Sequence, residues 1–347
     1  MTKQPDLQTK QSDLQLAPAS SVNGGERSSL SVTKRNKGWL ISGAAIATLA
    51  ATAIINWVNT RRAEAETPPA GDFVEVDGIR LHYVDRGSGA PVVLLHGNGV
   101  TLQDFEASEV LALAAADHRV LAFDRPGFGY SDRPRSIIWT PRAQARLIAA
   151  ALAKLGVEKA VVVGHSWGAL VALAMALDHP ERVSGLVLLS GYYYATGRPD
   201  VYPFSVPAIP LVGDLMAHTI SPLSGALLGP AMVKASFAPA PISEKFEDFP
   251  LSLTFRPFQI RATAADTAMM VPAASGLSRR YSELGVPVIT MAGKGDLIAH
   301  VDKHAERLAG EVSGSDLRIV PDQGHLFHYA VPEQVVAAIR DAAHRPA

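Results

Sequence analysis

No cysteine occurs anywhere in the 347 residues. Disulfide bonds, thiolate nucleophiles and cysteine-bearing zinc sites are thereby excluded, and the redox compartment is left undetermined. An excess of charge is also missing: 32 basic residues face 33 acidic ones, a formal net charge of −1. Without a basic surplus the chain offers no broad electrostatic surface for nucleic acid, so a small, neutral substrate is expected instead. Apolar residues make up 48% of the chain, which excludes a disordered polypeptide and leaves ample material for a core.

Formal charge disappears altogether from Trp39 to Val58. About 20 such residues suffice to cross a bilayer as a helix. Leu40, Ile41, Ile46, Leu49, Ile54, Ile55 and Val58 favour insertion by roughly 2 to 4 kcal/mol, before Thr48, Thr52 and Asn56 subtract some of it. A soluble helix would show a charged face, and this segment has none. Residues 39–58 are therefore read as a transmembrane anchor. The preceding residues 1–38 are polar, lack an apolar period and read as a disordered tail. Lys34, Arg35 and Lys37 outnumber Arg61 and Arg62, which favours a cytoplasmic tail and an exported, periplasmic or extracellular domain. Ala63 to Ala65 would suit a signal peptidase, giving a secreted form. The polar and apolar stretches are both long for a signal peptide, so an uncleaved anchor is the expectation.

After a linker over 59–71, the pattern becomes that of an α/β protein. Phe73–Val76 and Leu81–Val84 flank Asp77-Gly78 as a hairpin. Val92–Leu95, Val120–Phe123, Ala160–Val163, Leu186–Leu189, Val288–Met291 and Leu317–Val320 read as buried parallel strands, with Arg318 the exception to their apolar character. Helical spacing occupies Arg142–Leu155, Ala169–Asp178 and Pro332–Ala343. The rhythm fails between residues 192 and 285, where prolines and aromatics crowd together. So long an interval is not a structureless loop, and it reads as a mainly helical cap inserted into a core made of 72–191 and 286–347.

Gly164-His165-Ser166-Trp167-Gly168 follows a buried strand and runs directly into a helix, the setting a nucleophile elbow requires. The turn would strain Ser166 and project its Oγ above the sheet, and Trp167 N–H at the helix start would face a developing oxyanion. Gly293-Lys294-Gly295-Asp296 follows a second strand, placing an acid at the carboxyl edge where open α/β sheets build their sites. Asp296 is preferred there over Asp302. Gln323-Gly324-His325 follows the last strand, and His325 is preferred as base over His328, read as a satisfied packing residue. His300 and His304, at i and i+4, read as a solvated helix, and no metal site is expected.

From about Phe73 to Arg340, the cap excluded, the chain resembles the α/β-hydrolase family. His96-Gly97-Asn98-Gly99 matches that family's oxyanion loop, which would make Asn98 N–H the second donor and His96 structural. Asp124 to Asp132 looks like the family's loop beside the site. The order Ser166, Asp296, His325 is the order of the fold. The resemblance implies a serine hydrolase without cofactor, most simply an esterase acting on a small apolar ester or acyl substrate. Serine at the elbow disfavours dehalogenase and epoxide hydrolase activity, which use aspartate there. Carbon–carbon hydrolases, amidases, acyltransferases, perhydrolases and a non-catalytic binding protein stay as alternatives. Tyr192 to Tyr194, Phe204, Phe237, Phe246, Phe249, Phe255 and Phe258 would supply either a pocket lining or the cap's own core.

Overall fold

Charge pairing and small side chains make a longer N-terminal helix than the apolar run alone implies. The computed structural model describes residues 29–199 and 201–345, so most of the expected tail lies outside the described residues. Helix α1 (Ser29–Glu66) begins within that tail and continues well into the expected linker. Ion pairs Arg61–Glu64 at i,i+3 and Arg62–Glu66 at i,i+4 support its last turns. Pro68 and Pro69 follow its end, where a helix cannot continue. The chain divides into two compact units, Met1–Thr48 and Leu49–Ala347. In the first, the described part is helical from Ser29.

The second unit is built on one sheet. Its strands are β1 (Asp72–Val76), β2 (Ile79–Arg86), β3 (Ala90–Leu95), β4 (His118–Phe123), β5 (Ala160–His165), β6 (Val183–Leu189), β7 (Val288–Gly293) and β8 (Asp316–Val320). They lie in the order β1-β2-β4-β3-β5-β6-β7-β8. The β1–β2 hairpin is antiparallel and turns at Asp77 and Gly78, both at positive φ as a tight two-residue turn demands. All pairs from β4 to β8 are parallel. β8 departs from the expectation of burial: it is the edge strand, largely half-exposed, and Arg318 is satisfied there by Asp316 and Asp341.

Alternation along the strands sends side chains into two layers. Val93, Leu95 and Val162 pack toward α4 (Pro141–Lys154) and α5 (Trp167–Asp178). Val92, Leu94, Val161 and Val163 pack toward α2 (Gln103–Ala107), α3 (Val110–Ala114) and α12 (Pro332–His344). Thr140 caps α4 by accepting from Ala143 N.

Between β6 and β7 the chain is helical: α6 (Val201–Ser205), α7 (Val212–His218), α8 (Ile220–Phe237), α9 (Leu251–Thr254) and α10 (Pro257–Ser278). The expected aromatics divide between two roles. Tyr192 to Tyr194 are buried in the core, whereas Phe237, Phe246 and Phe249 form a separate cluster with Leu326 and Tyr329. Phe204 and Phe258 stay exposed. After β7, α11 (Ala305–Glu311) precedes β8.

Candidate active site

Ser166 sits between β5 and α5 with φ 53° and ψ −113°, a conformation that costs a residue with a side chain free energy. Neighbouring backbone holds it there, beginning with the bond from Ser166 N to Leu189 O at 2.8 Å. The flanking glycines are steric necessities. A Cβ on Gly168 would lie 2.0 Å from Leu95 O, and one on Gly164 would lie 2.4 Å from Gly168 O. Strand and helix can cross this closely only without those methyls.

The β7 and β8 loops converge beside this turn. His325 Nδ1–H donates to Asp296 Oδ2 at 2.8 Å, which leaves Nε2 as the imidazole's lone-pair nitrogen. Asp296 Oδ1 accepts from Ile298 N and Ala299 N at 2.8 and 2.9 Å. Burial opposes its ionisation, yet the charge and hydrogen bond of His325 and these two N–H groups hold the carboxyl below the usual range. The cap braces both loops: a Cβ on Gly324 would meet Ala238 O, one on Gly295 would meet Pro239, and Leu326 N bonds to Ser236 O.

Ser166 and His325 are linked through His165. His165 Nε2–H donates to His325 O at 3.2 Å, and the two rings lie 5.0 Å apart by centroid. Among the described residues no hydrogen bond joins Ser166 Oγ to His325, and bonds of this kind commonly tighten only with substrate in place.

Trp167 is the first residue of α5, so its N–H has no intrahelical acceptor. Asn98 approaches from the β3 loop, its Nδ2 donating to Thr263 O and Thr267 Oγ1 of α10. His96 is structural: its Nδ1 donates to Gly97 O, its Nε2 accepts from Arg125 N, and burial lowers its pKa to about 4. Arg125 is fully buried and donates to His96 O, Gly97 O, Gln144 and Asp266. Arg133 also reaches Asp266, and through Arg125 that carboxylate ties cap helix α10 to the loop carrying Asn98.

Two expectations are corrected. His304 is buried, not solvated. Its Nδ1 accepts from Tyr193 N and Tyr194 N, and burial lowers its pKa to about 4. Helical spacing hid this because α11 starts only at Ala305. His328 is buried but not satisfied. Its Nε2 lies 3.2 Å from Asp104 Oδ2 without a well-formed hydrogen bond, and its Nδ1 has no partner. Asp104, His165 and His328 place ligand-type atoms within 4.8 Å of one another. Asp104 Oδ1 already accepts from the Tyr329 hydroxyl, and these three supply one donor fewer than a closed structural tetrahedral site uses. Nothing in the spacing of residue 104 marked it, because α2 is too short to carry a pattern.

A cavity of about 730 Å³ is lined by Arg133, Ile137, Trp139, Arg256, Phe258 and Met269 among others. Ser166, Asp296 and His325 do not line it.

A family model described as alpha/beta hydrolase fold matches residues 90–330. The chain belongs to the α/β-hydrolase fold family. Among curated α/β-hydrolase relatives, a 2-hydroxy-6-oxononadienedioate/2-hydroxy-6-oxononatrienedioate hydrolase of Paraburkholderia phymatum is 40% identical over 144 residues, 40% of this chain and 48% of that one. Bifunctional epoxide hydrolase 2 of Sus scrofa is 36% identical over 130 residues, 37% of this chain and 23% of that one. The chain thus spans less than half the length of these relatives. Esterase RhEst1 from Rhodococcus sp. superposes with a TM-score of 0.62 and 27% identity, covering 79% of this chain and 98% of that one. The thermophilic esterase from Thermogutta terrifontis, at 0.63 and 23% identity over 78% and 97% of the two chains, shares the fold.

Proposed function

We propose that this α/β-hydrolase is a serine hydrolase that cleaves a small apolar carboxylic ester through an acyl-enzyme. The observation that carries the reading is the 2.8 Å His325–Asp296 hydrogen bond beside the strained turn of Ser166. Ser166 Oγ attacks the ester carbonyl and its proton passes to His325 Nε2. The Nδ1–H bond to Asp296 fixes the tautomer and stabilises the imidazolium. Backbone N–H groups of Trp167 and Asn98 receive the oxyanion, each worth about 3 kcal/mol by comparison with deletion of a single donor elsewhere. Collapse expels the alcohol, which takes the proton from His325. A water activated by the same imidazole then releases the acid.

Removal of the nucleophile tests this directly. Ser166→Ala should abolish labelling by a fluorophosphonate probe and turnover of p-nitrophenyl esters, and a chain-length series of those esters should reveal the acyl preference. Equal labelling of wild type and variant would reject the assignment. A second reading, carbon–carbon bond hydrolysis on the same residues, is favoured by the 40% identity to the oxononadienedioate hydrolase. It would show as turnover of a vinylogous keto acid with little esterase activity.

The enzyme is read as membrane-anchored through α1, with its catalytic domain exported. Support for an uncleaved chain comes from Asn56 and Ala63, both buried, which cleavage after Ala65 would remove. A mature N-terminus at Glu66 by intact mass would reject this.

A further inference from the structure

Asn56 is one of the three polar residues that weaken the apolar run of α1, and its amide is bound by protein. Its Nδ2 donates to His218 O and Thr219 O at 2.9 and 2.8 Å, at the junction of α7 and α8, and its side chain is buried. The helix around it presents Ile54, Ile55, Trp57 and Val58 outward, with Trp57 61% exposed. A side chain facing each of these directions is what lipid covers, whereas a protein groove would cover one stripe.

The cap surface beside that anchor point is of the same kind. Between Val201 and Val233 the one Asp, Glu, Lys or Arg is Asp214, which Arg135 and Arg261 neutralise at 2.9 and 2.7 Å, and His218 is the one further titratable side chain apart from Tyr202. Leu211 just before α7, Leu215 on it and Ile220 at the start of α8 are exposed, as are Leu223, Leu227 and Met232 further along α8. Leu211 and Leu227 are 82% and 80% exposed. So much uncharged apolar surface is uncommon on a domain meant for water alone. Its edges carry groups suited to a membrane–water boundary: Trp57 with Arg61 over its ring at 6.0 Å, Tyr202, and Lys234 in the last turn of α8.

We infer that the α7–α8 face of the cap lies in a lipid bilayer's interfacial layer, the partner being the lipid surface itself. Leu49 and Asn56 are about 10 Å apart along α1, so an apolar stretch held in lipid brings the cap junction to the surface with it. The membrane contact is then a tethered helix plus a partly submerged cap. The inference is independent of the reaction assigned to Ser166.

Absence of native cysteine makes the test clean. Single Leu211→Cys, Leu227→Cys and Lys159→Cys substitutions in the full chain would carry an environment-sensitive fluorophore, after reconstitution into phosphatidylcholine–phosphatidylglycerol vesicles. Lys159 immediately precedes central strand β5, at the amino ends of the parallel strands, whereas the cap follows the carboxyl end of β6. Blue-shifted emission at 211 and 227, lost to nitroxide-labelled lipid but not to iodide, with the reverse at 159, is the expected result. Iodide access at all three sites would overturn the inference and leave α1 as the sole membrane element. Shielding at 211 and 227 without lipid, with crosslinking between chains, would overturn it in favour of a second copy of the protein. Unchanged thermal unfolding of each labelled chain guards against misfolding.

Discussion

Asp296 holds one proton donor in place and is itself held by two backbone N–H groups. Asp296→Asn would keep the shape but allow the imidazole its other tautomer. A fall in kcat of about 10⁴-fold with little change in KM is expected from steady-state kinetics. Asp104 makes a different prediction. Burial raises its pKa, but His328, His165 and the Tyr329 hydroxyl outweigh burial and bring it down to about 2. Because the folded pKa is below the unfolded one, this group contributes stability above about pH 4 and loses it as pH falls toward 2. The contribution is about 2 kcal/mol. Urea midpoints measured between pH 5 and pH 2.5 should drop, and Asp104→Asn should flatten that part of the profile.

At the scale of elements, core and cap are joined by the buried Asp266 carboxylate, which pairs with Arg125 and Arg133 at 2.7 and 2.8 Å. Asp266→Ala leaves Arg125 buried without its counter-charge, and a loss of about 3 to 5 kcal/mol in urea unfolding is expected. Asn56→Leu should cost about 1 to 3 kcal/mol by leaving the carbonyls of His218 and Thr219 unpaired, measurable as a lowered Tm. Elements differed in how readily they could be read. β3, β5, β6 and β7 were legible because a strand buried on both faces must be apolar throughout. β8 was legible as a strand but not as an edge, since nothing local to Arg318 says that the sheet ends there. The C-terminal reach of α1 was hidden because its last turns exchange apolar residues for Arg–Glu pairs, which look like linker until they are seen stacked.

In the molecule as a whole, the candidate site shows the same division. Ser166, Trp167, Asp296 and His325 stood out because each occupies a strand end, and strand ends are local signals. Arg125, Asp104 and Asp266 did not, since their partners lie 19 to 225 residues away in the chain. Long-range polar bonds leave no trace in periodicity. The cap was legible as an interruption of rhythm, but its uncharged outer face acquires meaning only once Asn56 is seen fastening α1 beside it.

Asn98, the oxyanion donor of the proposed mechanism, is held from the cap side: its side-chain amide donates to Thr263 and Thr267 of α10. On that reading, a compound wedged under α10 would shift the donor at the moment negative charge builds. Inhibitors and substitutions aimed at the lid should therefore change turnover number as well as selectivity, so that specificity and speed cannot be engineered separately here.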